Sequence, residues 1–222
     1  MPQSIQIHPT HPQRRLITQA VAVLRSGGVI AYPTDSCYAL GCCIGDKSAM
    51  ERIRRIRGLA DGHHFTLMCR DLSEIATYAR VDNAVYRLLR AHTPGPYTFV
   101  LRASREVPRR LQDPKRRTIG LRVPGNPVAQ HLLDALGEPM MSVTLHLPGD
   151  LYPTGEGHAV AEALGGAVDL VIDAGTCGIE PTSVVDLSEA PPRLLRRGLG
   201  DVSGFAGIED AELEATGRVP RG

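Results

Sequence analysis

The chain has 222 residues, 42% hydrophobic and 22% charged, and its 25 Lys and Arg against 24 Asp and Glu leave a net charge of +1. That length suits one α/β domain with a single substantial core, and the charge balance excludes a generally basic nucleic-acid binder. With no apolar run near ~18 residues, and a start "MPQSIQIHPTHPQRR" lacking the basic-then-apolar order of a signal peptide, the reading is a soluble cytoplasmic protein without a membrane span.

In chain order, "PQRRLITQAVAVLRSGG" places Leu16, Ile17, Ala20, Val21 and Leu24 on one helical face and stops at Gly27 and Gly28. "VIAYP" reads as a strand running into a Pro-Thr-Asp-Ser cluster, after which "CYALGCCIG" resumes as extended chain. Asp46 is placed to cap a helix "KSAMERIRRIR", with Met50, Ile53 and Ile56 as its apolar stripe. Strand "FTLMC", helices "DLSEIATYA" and "DNAVYRLLRAH", and strand "YTFVLRA" follow. Then come strand "TIGLRVP", helix "NPVAQHLLDAL", strand "MMSVTLH", helix "HAVAEALGG" and three short extended runs, "VDLVID", "TSVVDL" and "RLLRRG". The acidic tail from Gly204 is weakly patterned, which suggests a helical appendage or partial disorder. Strands interleaved with helices favour one α/β layer structure with a twisted mixed sheet, a domain over 1–206 and a tail over 207–222.

The five cysteines, Cys37, Cys42, Cys43, Cys69 and Cys177, form no C-x-x-C pair, so neither a disulfide framework nor a zinc ribbon is supported. "GCCIGDKS" approaches a phosphate-cradling loop, but Asp46 breaks the Gly-Lys-Ser run and would repel a phosphate. Adjacent His63 and His64 point apart in most backbones, which disfavours a shared metal. No metal ligand set or serine-hydrolase elbow is found.

Positive charge sits almost wholly on arginine, a planar cation suited to phosphate and carboxylate, and it is grouped at Arg52 to Arg57 and Arg109 to Arg122. Pro33-Thr34, Pro153-Thr154 and Pro181-Thr182 repeat one dipeptide in loops. Thr118 and Arg122, four apart on a predicted strand, project to the same side.

"GGVIAYPTDSCYALGC", "TPGPYTFVL", "RTIGLRVPGNPVAQ", "MSVTL", "PTSVVDL" and "LLRRG" together resemble the YrdC/YciO family of threonylcarbamoyl-AMP synthases and their paralogues, in family order over roughly residues 12 to 203. "AMERIRRIR", "HFTLMCRDLSE" and "KRRTIGLRVP" look like the YciO branch. The resemblance implies a twisted mixed sheet flanked by helices with a wide concave cavity. It also implies a reaction joining L-threonine, bicarbonate and ATP, as its magnesium complex, into threonylcarbamoyl-AMP and pyrophosphate, in tRNA threonylcarbamoyladenosine modification, together with binding of double-stranded RNA or tRNA. No covalent enzyme nucleophile and no protein-held metal are required, only positioning and electrostatics.

Carried over by position, Thr34, Arg122, Ser142 and Thr182 are the substrate-binding candidates, with Arg122 pairing a carboxylate. Arg57, Thr118, Thr144 and Arg196 are the nucleotide-binding candidates, and Arg54, Arg55, Arg110, Lys115 and Arg116 are the candidates for RNA. Two departures stand out. The family Lys-x-Arg becomes Arg57-Gly58-Leu59, and its Ser-x-Asn becomes Ser142-Val143-Thr144. Loss of a cation and an amide from a phosphate site is worth about 2–4 kcal/mol of transition-state stabilisation. The expectation is therefore a nucleotide-binding nucleotidyltransferase of weak or altered activity. The alternative is an RNA-binding module without nucleotide chemistry, contacting backbone rather than bases because aromatic content is only 4%.

Overall fold

The computed structural model describes residues 3–60, 65–205 and 208–210. Its strands are β1 (Gln3–Gln6), β2 (Ile30–Tyr32), β3 (Ala39–Cys43), β4 (Thr66–Met68), β5 (Tyr97–Arg102) and β6 (Thr118–Arg122), then β7 (Met140–Thr144), β8 (Leu170–Asp173), β9 (Ser183–Asp186), β10 (Arg193–Arg196) and β11 (Glu209–Asp210). The helices are α1 (Arg14–Arg25), α2 (Lys47–Arg57), α3 (Leu72–Tyr78), α4 (Asn83–His92), α5 (Pro127–Leu136) and α6 (Gly157–Leu164). The strands form one mixed sheet in the order β1-β8-β2-β3-β7-β4-β6-β5-β9-β10-β11.

Helix boundaries follow side-chain chemistry. Asp46, Asp71 and Asp82 each accept a backbone N–H of the first turn of α2, α3 and α4, and Asn126 does so for α5 ahead of Pro127. α2 ends in a left-handed Gly58, with Gly58 N–H donating to Arg55 O and Leu59 N–H to Arg54 O. That pair of bonds is a Schellman motif, whose second residue past the helix packs an apolar side chain back on the turn. Leu59 does so, against the core.

The strand alternation sorts two apolar layers. One face presents Leu40, Leu67, Leu121, Phe99 and Val185, which pack with Ile53, Ile75, Leu89 and Val160 of α2, α3, α4 and α6. The other presents Ile30, Tyr32, Met140, Leu170 and Ile172 to Ile17 and Leu24 of α1 and Val128 and Leu132 of α5. α1 and α5 thus cover the β8-β2-β3-β7 side of their face.

β1 is a strand that the sequence reading misses, because three of its four residues are polar and exposed and only Ile5 is apolar; it is held by parallel pairing to β8 at the sheet edge. In the tail, read from the sequence as a helical appendage or partly disordered, Glu209 and Asp210 form a short strand parallel to β10. Residues 206–207 and 211–222, like His63 and His64, lie outside the described residues.

Candidate functional site

On the face that α1 and α5 cover at one side, the remaining strands carry small and polar residues. The register places Gly41, Ser142, Thr66, Gly120 and Val100 in one row across β3, β7, β4, β6 and β5. The result is a hollow of about 260 Å³. Its wall contains every substrate and nucleotide candidate from the sequence: Thr34, Arg57, Thr118, Arg122, Ser142, Thr144, Thr182 and Arg196. Thr118 and Arg122 do share one side of β6, as their spacing requires. Of the Pro-Thr dipeptides, Thr34 and Thr182 reach the wall and Thr154 does not.

The loop after β2 braces its own residues. The Thr34 hydroxyl donates to Cys37 O at 2.6 Å and accepts from Ser36 N–H at 3.2 Å and Cys37 N–H at 3.3 Å. This hydroxyl, expected to contact substrate, is thus committed to shaping the turn. Ser36 Oγ lies 3.1 Å from Thr34 Oγ1 and accepts from Arg122 Nη1 at 3.1 Å. Arg122 Nη2 pairs with Asp35 Oδ1, while Arg122 Nε is buried without a hydrogen-bond partner. Asp35, Ser36, Thr66, Thr98 and Asp113 were not singled out in the sequence. Strand alternation could have found Thr66 and Thr98; the loop residues carry no such signal.

At the opposite wall Arg196 donates from Nε to Thr182 O at 2.9 Å and from Nη2 to Thr182 Oγ1 at 3.0 Å, and Thr182 Oγ1 lies 3.0 Å from Thr98 Oγ1. Burial lowers the pKa of both Arg196 and Arg57 from the ordinary guanidinium value. Arg57 comes from the last turn of α2, and its buried Nε also has no hydrogen-bond partner. Burial pushes the Cys37 thiol, on the same wall, up to about 11. Leu59 packs into the core and is not part of the wall, whereas Thr144 is. Among the described residues, no group of three or more His, Cys, Asp or Glu is placed to share a metal ion, and no helix is long and apolar enough to cross a membrane.

The RNA candidates lie apart from this wall. Arg54 pairs with Glu51 and stacks on Phe65, with its guanidinium carbon 5.2 Å from the ring centre. Arg110 donates to Gly45 O at 2.8 Å, and Arg116 pairs with the buried Asp186 at 2.6 Å. Arg55 and Lys115 are exposed.

A family model described as "Telomere recombination" (Sua5, YciO and YrdC) matches residues 22–198. YciO of Escherichia coli (strain K12) is 57% identical over 205 residues, covering 92% of this chain and 100% of that protein. The crystal structure of E. coli YciO matches at a TM-score of 0.89 over the same shares of the two chains. The threonylcarbamoyl-AMP synthase of Pyrococcus abyssi is 31% identical over 182 residues, 81% of this chain but 53% of that protein. The structure of P. abyssi Sua5 complexed with L-threonine matches at a TM-score of 0.80 and 27% identity, covering 88% of this chain and 57% of that one. Fold, wall and sequence agree: this chain belongs to the Sua5/YciO/YrdC family.

Proposed function

We propose that the hollow binds ATP, as its magnesium complex, together with an amino acid of the L-threonine class and bicarbonate, and makes a carbamoyl-AMP with release of pyrophosphate, slowly compared with the synthases it resembles. One observation carries this reading: Arg57 of α2 and Arg122 of β6, two guanidinium cations from separate elements, line the same hollow. Guanidiniums gathered at one cavity suit anionic ligand oxygens, which offset their charge and accept their hydrogen bonds. Arg196 and the hydroxyls of Thr118, Ser142 and Thr182 extend the same wall. The L-threonine bound by P. abyssi Sua5 and the activity named for the P. abyssi synthase support the choice of substrates.

The chemistry asks little covalent work of the protein. Bicarbonate takes up a proton and loses water to give CO2, and the amine adds to that CO2 and loses a proton to give a carbamate. A carbamate oxygen then bonds to the α-phosphorus as the bond to the β-phosphate oxygen breaks, and pyrophosphate leaves with the electron pair. The guanidiniums offset charge on the phosphates and hold the reactants together, which is catalysis by electrostatics and proximity. Magnesium arrives on the phosphates as part of the substrate. Thr144 offers a hydroxyl where the synthases have an asparagine amide, and this departure lies on the wall itself. Leu59 serves the helix end, so it is the lesser cause of a slow rate. Such chemistry belongs in the cytoplasm, where ATP is supplied.

The test is pyrophosphate release from ATP in the presence of L-threonine and bicarbonate, with each omitted in turn. Release that needs all three, abolished in Arg122→Ala and raised in Thr144→Asn, is the expected result; ATP binding without release, or release indifferent to the amino acid, overturns it. Other amino acids in the same assay define the acceptor class.

A second reading is favoured by one contact. The Arg110 bond to Gly45 O sets the 109–117 segment against the turn that opens α2, the helix that carries the other arginine group. That region suits the phosphate backbone of double-stranded RNA or tRNA. Affinity for an RNA duplex that falls steeply with salt, and falls further in Arg55→Ala/Lys115→Ala, would support it.

A further inference from the structure

Tyr32 stands at the end of β2, two strands away from Ser142 in the order β2-β3-β7. It is fully buried, yet its hydroxyl lies 2.7 Å from Ser142 Oγ. The intervening strand allows this reach at one point. Gly41 of β3 sits opposite Ser142 in register, and a Cβ there would come within 2.9 Å of the Tyr32 ring and 3.1 Å of the Met140 sulfur. The glycine that closes "YPTDSCYALG" thus makes room for a phenol from the start of the same stretch.

The direction of the Tyr32–Ser142 bond follows from burial. The phenol has Ser142 Oγ as its one hydrogen-bond partner among the described residues. If Ser142 donated, the phenol hydrogen would be buried without an acceptor among the described residues, an arrangement that folding disfavours. If the phenol donates, the Ser142 hydrogen is free to turn toward the hollow that Ser142 lines. Burial also pushes the Tyr32 pKa up to about 12, so the phenol keeps its proton throughout the neutral range.

We infer that Tyr32 is a positioning residue: it donates to Ser142 Oγ and so fixes the Ser142 hydroxyl as a hydrogen-bond donor to an anionic oxygen in the hollow. Ser142 thereby works alongside the guanidiniums as a donor, and Gly41 is the structural condition for it. The inference rests on the reading of the hollow as an anion site, but the direction of the Tyr32–Ser142 bond is separately measurable.

The test has two arms. The tyrosine Fermi doublet in the Raman spectrum distinguishes a phenol that donates from one that accepts. The difference between the wild type and Ser142→Ala is expected to show the loss of one donating tyrosine; loss of an accepting one, or no change, overturns the inference. In the second arm, affinity for magnesium ATP and for inorganic pyrophosphate is measured by calorimetry in wild type, Tyr32→Phe, Ser142→Ala and the double variant. Tyr32→Phe is expected to weaken binding about fivefold, and Ser142→Ala about tenfold. The double variant is expected to be no weaker than Ser142→Ala, because Tyr32 acts through that serine. Gly41→Ala should reproduce the Tyr32→Phe loss. Additive losses, the mark of a merely structural tyrosine, overturn the inference. If the wild type binds neither probe, the anion-site reading fails and this role of Tyr32 fails with it, while the Raman arm still fixes the bond direction.

Discussion

One face of the sheet divides into two regions built on the same two-residue alternation. Under α1 and α5, the strands present Ile30, Met140, Leu170 and Ile172 to Leu24, Val128 and Leu132, and every side chain finds an apolar neighbour. Farther along, β4, β6 and β5 present Thr66, Gly120, Thr118, Arg122 and Thr98, and the hollow lies over them. The first region repays burial with stability. The second holds cationic groups whose burial costs stability.

The sharpest way to break that contrast is Arg122→Ala. It leaves Asp35 at the edge of the hollow without its cation, and Asp35 Oδ2 already lacks a hydrogen-bond partner. Breaking a buried pair from one side costs about 3–5 kcal/mol, so denaturant unfolding should show a large loss despite the residue's place in the hollow. A variant as stable as the wild type would mean that the pair is well solvated.

Leu132→Ala, in the covered region, is expected to lose about 2–5 kcal/mol by cavity formation. Its affinity for ATP should stay as in the wild type, because Leu132 is not itself part of the wall. Arg57→Ala should do the reverse. Among the described residues this cation has no acidic partner, so its removal leaves stability unchanged or raised, while ATP binding weakens by about 1.5–3 kcal/mol, roughly 10- to 100-fold. Equal losses of stability in the two variants would erase the distinction between the regions.

The smallest effect concerns Cys37. Burial raises its pKa to about 11, so the thiolate is scarce at neutral pH and grows about tenfold per pH unit until that value is approached. Peptide mapping after brief iodoacetamide treatment should find Cys37 unlabelled at pH 7.5, with labelling still rising above pH 9. A plateau near pH 9 would mean that the hollow admits solvent freely to the sulfur.

Periodicity in the chain determined most of the framework. Apolar residues at helical spacing marked α1 and α2, Asp46 marked where α2 starts, and alternation placed Thr118 and Arg122 on one side of β6. These signals are local, because a cap or a strand phase depends on neighbours a few residues away. β1 escaped, since its pairing with β8 comes from residues far along the chain that leave no trace in a polar segment.

Beyond the pairing of Thr118 with Arg122 on one strand, the candidate wall was legible only through the motifs of the resemblance, which assigned substrate or nucleotide roles without the hydrogen bonds that each hydroxyl makes within the protein. Tertiary structure decided that Thr34 spends its hydroxyl on the loop, that Leu59 belongs to a helix end, and that Tyr32 reaches Ser142 across Gly41. Those outcomes depend on distances between residues up to 110 positions apart, as for Tyr32 and Ser142. A hydrogen bond is decided within a few tenths of an ångström, and only the packed sheet fixes strand register that finely.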